Sequence, residues 1–149
     1  MNLTAGHAGR AVITTGKHTK NVCEYFTAFV VGGTVYGAAE TLWRGYTHWT
    51  MLITGGVCLS FLYALDKHRP RARRINKLIF GAAIITVTEF IAGCIVNLKL
   101  GWNVWDYSAA PYNLLGQICA PYALIWLLLC IPAYGICGMI KRIFARNMT

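Results

Sequence analysis

The stretch Leu78-Ile-Phe-Gly-Ala-Ala-Ile-Ile-Thr-Val-Thr-Glu-Phe-Ile-Ala-Gly-Cys-Ile-Val-Asn-Leu98 is apolar throughout except for a few hydroxyls, Asn97 and one charge, Glu89. About 20 mostly apolar residues are enough to cross the hydrocarbon core of a bilayer as one helix. Outward from it, residues 25–43, 49–65 and 114–140 have the same character. Together they predict an all-α integral membrane protein, a four-transmembrane-helix bundle. The chain has 149 residues, 56% of them hydrophobic, and a mean hydropathy of +0.48. Four such segments leave too little polar surface for a soluble domain. One membrane domain over residues 22–141 is expected, between a mobile basic tail at 1–21 and a second basic tail at 142–149. The fourth segment is the longest, and Pro121 and Pro132 give it places to kink.

Basic residues are retained preferentially on the cytoplasmic side of a membrane. Arg10, Lys17, Lys20, Lys67, Arg69, Arg71, Arg73, Arg74, Lys77, Lys141, Arg142 and Arg146 fall on one side of the expected spans, and only Arg44 and Lys99 on the other. Both termini and the 66–77 loop are therefore expected in the cytoplasm of a cell-membrane protein. The loop's charge has two readings, attraction of anionic head groups or plain topogenic charge, and the second already accounts for it. The net charge of +9 is thus no argument for a nucleic-acid partner. Ala11-Val12-Ile13 is too short for a signal-peptide core, so the first span is expected to serve as its own insertion signal.

The acids number five, Glu24, Glu40, Asp66, Glu89 and Asp106, which leaves little for multi-carboxylate catalysis. Ser60, Ser108 and the six cysteines have no histidine at matching depth to act as a base, so no enzyme is expected. The cysteines form no Cys-x-x-Cys and the four histidines are scattered, so neither a metal site nor a cofactor is expected. The thiols read as small packing groups.

Polar residues within the spans carry more information. Gly33, Gly37, Glu40 and Arg44 recur at spacings of four, three and four, which stacks them on one helix face. Ala82, Thr86, Glu89, Gly93 and Asn97 repeat the arrangement on the third helix. A carboxyl in mid-membrane is expensive, is paired or protonated, and marks a functional candidate. Glu89 meets that description, while Glu40 lies near the end of its span with Arg44 one turn away. Gly33, Gly37, Gly45, Gly93 and Gly116 are expected to permit close packing of helices.

Trp43, Trp49, Trp102 and Trp105, with Tyr46, Tyr107 and Tyr112, are expected to form an aromatic belt at the outer interface. Residues 99–117 are too apolar for a solvated loop and are broken by Gly101 and Pro111. They predict an interfacial or re-entrant cap containing Trp102, Trp105, Tyr107 and Ser108. Its backbone must find partners within the protein, and Asp106, Asn113 and Gln117 can supply them. The same three side chains, with Asn97, are candidates for binding an ion or a polar head group.

At these residues the chain resembles a family of bacterial four-helix membrane proteins described as putative ABC-transporter type IV, or putative ABC transporter permease. The resemblance rests on Tyr36-Gly-Ala-Ala-Glu-Thr-Leu-Trp-Arg-Gly45, Thr47-His-Trp-Thr-Met51, Glu89-Phe-Ile-Ala-Gly93, Trp105-Asp-Tyr-Ser108 and Asn113-Leu-Leu-Gly-Gln-Ile-Cys119, followed by Trp126. It runs over residues 31–126 and leaves the 66–77 loop outside its motifs. It implies a transporter or channel of unknown substrate. It also points to Glu40, Arg44, Gly45, Glu89, Gly93, Trp105, Asp106, Tyr107, Ser108, Asn113, Gly116, Gln117 and Trp126. No Gly-xxxx-Gly-Lys-Ser/Thr phosphate loop is present, so an ATPase, if one drives the protein, is a separate chain. The expected function is transport through a homo-oligomeric membrane protein with its glutamates as ion or proton sites. The alternative is a non-transporting adaptor or assembly subunit that docks partners through its glycine faces.

Overall fold

A computed structural model describes the backbone of residues 5–146 and the side chains of residues 19–146. Helix α1 covers Ala5–Arg44, α2 Trp49–His68, α3 Arg74–Gly93 and α4 Ala120–Arg146. Of the mobile tail expected over 1–21, residues 1–4 lie outside the described residues, and the backbone from Ala5 onward is helical and continuous with α1. A π-helical turn, Cys94–Lys99, continues α3, and a short hairpin pairs β1 (Asn113–Leu114) with β2 (Ile118–Cys119). Among the described residues, four segments are long and apolar enough to cross a membrane, namely Thr19–Arg44, Trp49–His68, Arg74–Lys99 and Ala120–Arg146.

The main departure from expectation is the start of the fourth helix. Residues 114–119 were expected inside it, yet they fold as the hairpin, because Leu115 and Gly116 take positive φ values of 52° and 68° and turn the chain back. Helix α4 begins only at Ala120, with Pro121 in its first turn, where the missing N–H breaks no helical bond. Pro132 lies within the helix.

Helices α1 and α2 pack through their glycines. A methyl group on Gly33 would sit 2.5 Å from the Leu52 carbonyl oxygen, and one on Gly32 the same distance from Leu59 Cβ. From the other side, one on Gly56 would meet the Phe29 carbonyl oxygen at 2.7 Å. Bare backbone on both helices lets them approach closely, as small residues do in membrane packing. The glycine face offered to a partner in the adaptor reading is therefore consumed within the chain. Gly93 has a similar role against Gln117, whereas Gly45, at φ 81°, has open space around it and supplies a turn, not a packing surface.

The core below these contacts includes Leu62, Tyr63, Ile85, Cys130, Cys137 and Ile140. All six cysteines are free, and Cys58, Cys119, Cys130 and Cys137 are buried. Within the spans, Thr34, Thr41, Thr54, Ser60 and Thr88 each donate to the carbonyl one turn back at 2.8–2.9 Å. Such back-bonding satisfies hydroxyls where water is absent.

Ion pairs hold the basic end of the bundle. Lys67 on α2 binds Glu24 on α1. Asp66 receives Lys77 of α3 at 2.7 Å on one oxygen and Lys141 of α4 on the other. Glu24 and Asp66 are buried and tie all four helices at this end.

The tight α1–α2 contact makes Gly33 intolerant of a side chain. Gly33→Leu is expected to lower stability by about 1–3 kcal/mol, the range for overpacking. Gly138→Leu, at a position with nothing within 4 Å, is expected to change it little. Thermal unfolding of both variants in the same detergent checks this.

Candidate functional site

Glu89 occupies the centre of the site. It lies ten residues before the end of its span at Lys99, about 15 Å at helical rise and so near the middle of a hydrocarbon core of about 30 Å. The residue is 3% exposed. Tyr36 of α1 donates its hydroxyl to Oε1 at 2.6 Å, and Trp126 of α4 donates its indole N–H to Oε2 at 2.7 Å. The two rings stack with centroids 5.9 Å apart. One side chain on α3 thereby joins α1 to α4. Among the described residues, Glu89 is the one buried acid without a cation beside it.

A groove of about 470 Å³ runs between α1 and α4. Val35 and Ala39 form one wall and Ile125 and Leu129 the other, with Tyr36 and Trp126 between them. Glu89 lies behind those two rings and does not line the groove. At the aromatic end, Glu40, Arg44, Trp105 and Tyr107 close it. Arg44 and Thr47 both donate to the Glu40 carboxylate, and Arg44 Nη1 reaches the Val104 carbonyl at 3.1 Å. The Nε of Arg44 is buried with no hydrogen-bond partner among the described residues.

The cap over this end is held by Asn97. Its amide nitrogen donates to the Trp105 carbonyl at 2.9 Å and to Gln117 Oε1 at 2.8 Å, and its oxygen accepts from the Val104 N–H at 2.7 Å. Trp105 is 6% exposed and donates to the Gln117 carbonyl at 3.0 Å. It is thus a buried cap residue and not part of the belt, which Trp43, Trp49 and Trp102 continue to form as exposed rings. Trp102 packs edge-on to His48 and beside Trp49. Tyr107 stacks on Tyr122 of α4 at 4.5 Å.

Asp106 closes a turn by accepting from the Ser108 hydroxyl at 2.6 Å and its N–H at 2.8 Å. These bonds hold its carboxyl below the ordinary aspartate value. Asn113 donates to the Ser108 and Ala110 carbonyls and accepts from the Gly116 N–H. Gly116 is required there both by its positive φ and by space, since a methyl group would lie 2.5 Å from Ser108 Oγ.

The structure thus divides the expected site. Asn97, Asp106, Asn113 and Gln117, all candidates for ligand binding, are engaged in building the cap. Glu40 and Arg44 stand at the closed aromatic end of the groove, and Glu89 stands behind its middle. Tyr36 and Tyr122 were not singled out from the sequence, although Tyr36 lies one turn before Glu40 and thus continues its face. Trp126 carried a signal as the tryptophan set apart from the belt.

These features define a helical membrane protein with a fully bonded intramembrane carboxylate beside a lateral groove. A family model described as "Putative ABC-transporter type IV" matches residues 61–148, and the chain belongs to that family, a transporter-related class of membrane protein. No curated protein and no solved structure matches it. The matched stretch takes in the basic 66–77 loop and all of α4, and it starts after the Tyr36–Gly45 motif.

Two outcomes follow from the cap. Asn97→Ala leaves the Val104 N–H, the Trp105 carbonyl and Gln117 Oε1 without their partner, at about 1–3 kcal/mol for each buried group. Amide exchange at Val104 and Trp105 is expected to accelerate about tenfold or more, read by hydrogen exchange in detergent. A depressed carboxyl pKa contributes stability above the unfolded value near 3.9 and loses it as pH falls through the folded value. The Asp106 turn is therefore expected to survive at pH 4 and to open at lower pH, with Ser108→Ala raising the midpoint seen by carboxyl NMR.

Proposed function

We propose that this protein is a non-enzymatic transport component that admits an amphipathic guest sideways from the bilayer into the groove between α1 and α4. The observation that carries the reading is the groove itself, apolar along its length and polar at one end. Ligand sites of a few hundred cubic ångströms with apolar walls and few directing polar groups are typical of small-molecule binding. Arg44 lines the aromatic end of the groove with a partly exposed guanidinium, which supports an acceptor head group there. Glu89 acts in this reading as the latch that keeps α1 and α4 in register behind the guest.

The sidedness expected from the basic residues places both termini in the cytoplasm and the aromatic end outside. The driving ATPase, where one is used, belongs to a separate chain, and self-association completes the assembly in the bilayer.

A proton-coupled form of the same function is favoured by one observation. Glu89 has no cation beside it among the described residues, and the Tyr36 hydroxyl stands between it and the groove. In that form Glu89→Gln abolishes the pH dependence of uptake into proteoliposomes while the fold is retained. Unchanged pH dependence confines Glu89 to the latch.

The test of the groove uses a diazirine-bearing fatty acid as the probe and the reconstituted full chain. Adducts are expected at Val35, Ala39, Ile125 and Leu129 in excess of those at Phe80 and Ile91, which are exposed on the lipid face of α3. Ala39→Trp is expected to reduce the excess. Equal labelling of both faces would contradict the proposal.

A further inference from the structure

A second cavity, about 330 Å³ in volume, lies at the basic end between the start of α3 and the middle of α4. Arg74 and Lys77 form its polar edge together with Asp66, and Leu78 and Ile131 form an apolar wall. Gly135 lines it too, and nothing lies within 4 Å of where its side chain would stand. The Tyr134 hydroxyl donates to the Lys77 carbonyl at 2.9 Å and so fixes the backbone at the polar edge to α4.

The charge of this edge is positive. Asp66 is shared by Lys77 and Lys141, so one carboxylate faces two ammonium groups. Arg74 adds a further charge and takes part in no ion pair among the described residues. The neighbours Ile75 and Ile79 are 54% and 53% exposed on the face that meets the bilayer. A cleft that is cationic at one end, apolar at the other and flanked by membrane-facing side chains suits a molecule with an anionic head and a hydrocarbon body. Guanidinium is well matched to phosphate oxygens.

We propose that this cleft is a site for an anionic phospholipid from the leaflet at the basic end. The phosphate lies against Arg74 and Lys77, and the first part of an acyl chain runs over Leu78, Ile131 and the bare backbone of Gly135. This goes beyond topogenic charge, because it assigns the binding to one built cleft and not to the basic loop as a whole. It is independent of the α1–α4 groove, which lies on another side of α4.

The test is lipid retention by the full chain in native mass spectrometry, with phosphatidylglycerol and phosphatidylcholine as competing probes. Wild type is expected to retain phosphatidylglycerol preferentially. Arg74→Gln is expected to weaken that retention about fivefold, the equivalent of about 1 kcal/mol per basic residue near an anionic surface. Gly135→Leu fills the apolar part and is expected to weaken it comparably, whereas the double variant R69Q/R71Q changes it by less than about twofold. Thermal unfolding of each variant establishes that the fold is intact. Equal retention of the two lipids overturns the proposal, as does an effect of R69Q/R71Q as large as that of Arg74→Gln, which marks diffuse charge. Displacement of the lipid by millimolar inorganic phosphate also overturns it, because the site is then one for a free anion.

Discussion

A carboxylate in the middle of a bilayer has no water to turn to, and both of its oxygens must be bonded by the protein itself. Glu89 meets that requirement by reaching two helices other than its own, through the Tyr36 hydroxyl and the Trp126 indole. The consequence is structural before it is functional. Helices α1 and α4 are held at a set distance by donors at the tips of two large aromatic side chains. Their flanking residues Val35, Ala39, Ile125 and Leu129 line an open groove instead of interdigitating. The latch and the groove are two aspects of one arrangement.

Both ends of the bundle are fastened by other means. At the basic end, the Glu24–Lys67 pair and the Asp66–Lys77–Lys141 triad connect the helices in a region close to water, where charge is tolerated. At the aromatic end, Asn97 clasps the backbone of Val104 and Trp105, and the Trp105 indole in turn bonds the hairpin. Glycine contacts join α1 to α2 between residues 29–37 and 52–59. What remains loosely packed is the side between α1 and α4.

Much of this was legible in the sequence, and the physical reason is locality. The spans follow from runs of apolar residues, and the Glu40–Arg44 pair follows from a four-residue spacing on one helix. The depth of Glu89 follows from counting along its span. The Asp106–Ser108 turn is likewise local, with acceptor and donor two residues apart. Contacts between helices were less accessible. Nothing in the spacing of Tyr36, Glu89 and Trp126 says that they converge, and nothing near Asp66 says that it is shared by lysines 11 and 75 residues away. The apolar character of residues 114–119 favours helix, but the turn at Leu115 and Gly116 overrides it. Gly45 and Gly116 look like packing residues in the sequence because glycine serves both close approach and positive φ, and composition does not separate the two uses.

The bridge from Glu89 to α1 and α4 sets the spacing of those helices, and a distance across the groove interrogates it directly. Spin labels attached through non-native ketone side chains at positions 35 and 129, in protein reconstituted into bilayers, report that separation by pulsed electron resonance. With Glu89 intact, one narrow distribution is predicted, and in Glu89→Leu a broader one shifted to longer distance, while a label pair across the glycine-packed α1–α2 contact does not change. A distribution between α1 and α4 that is the same in both proteins would contradict the bridge and the groove that depends on it.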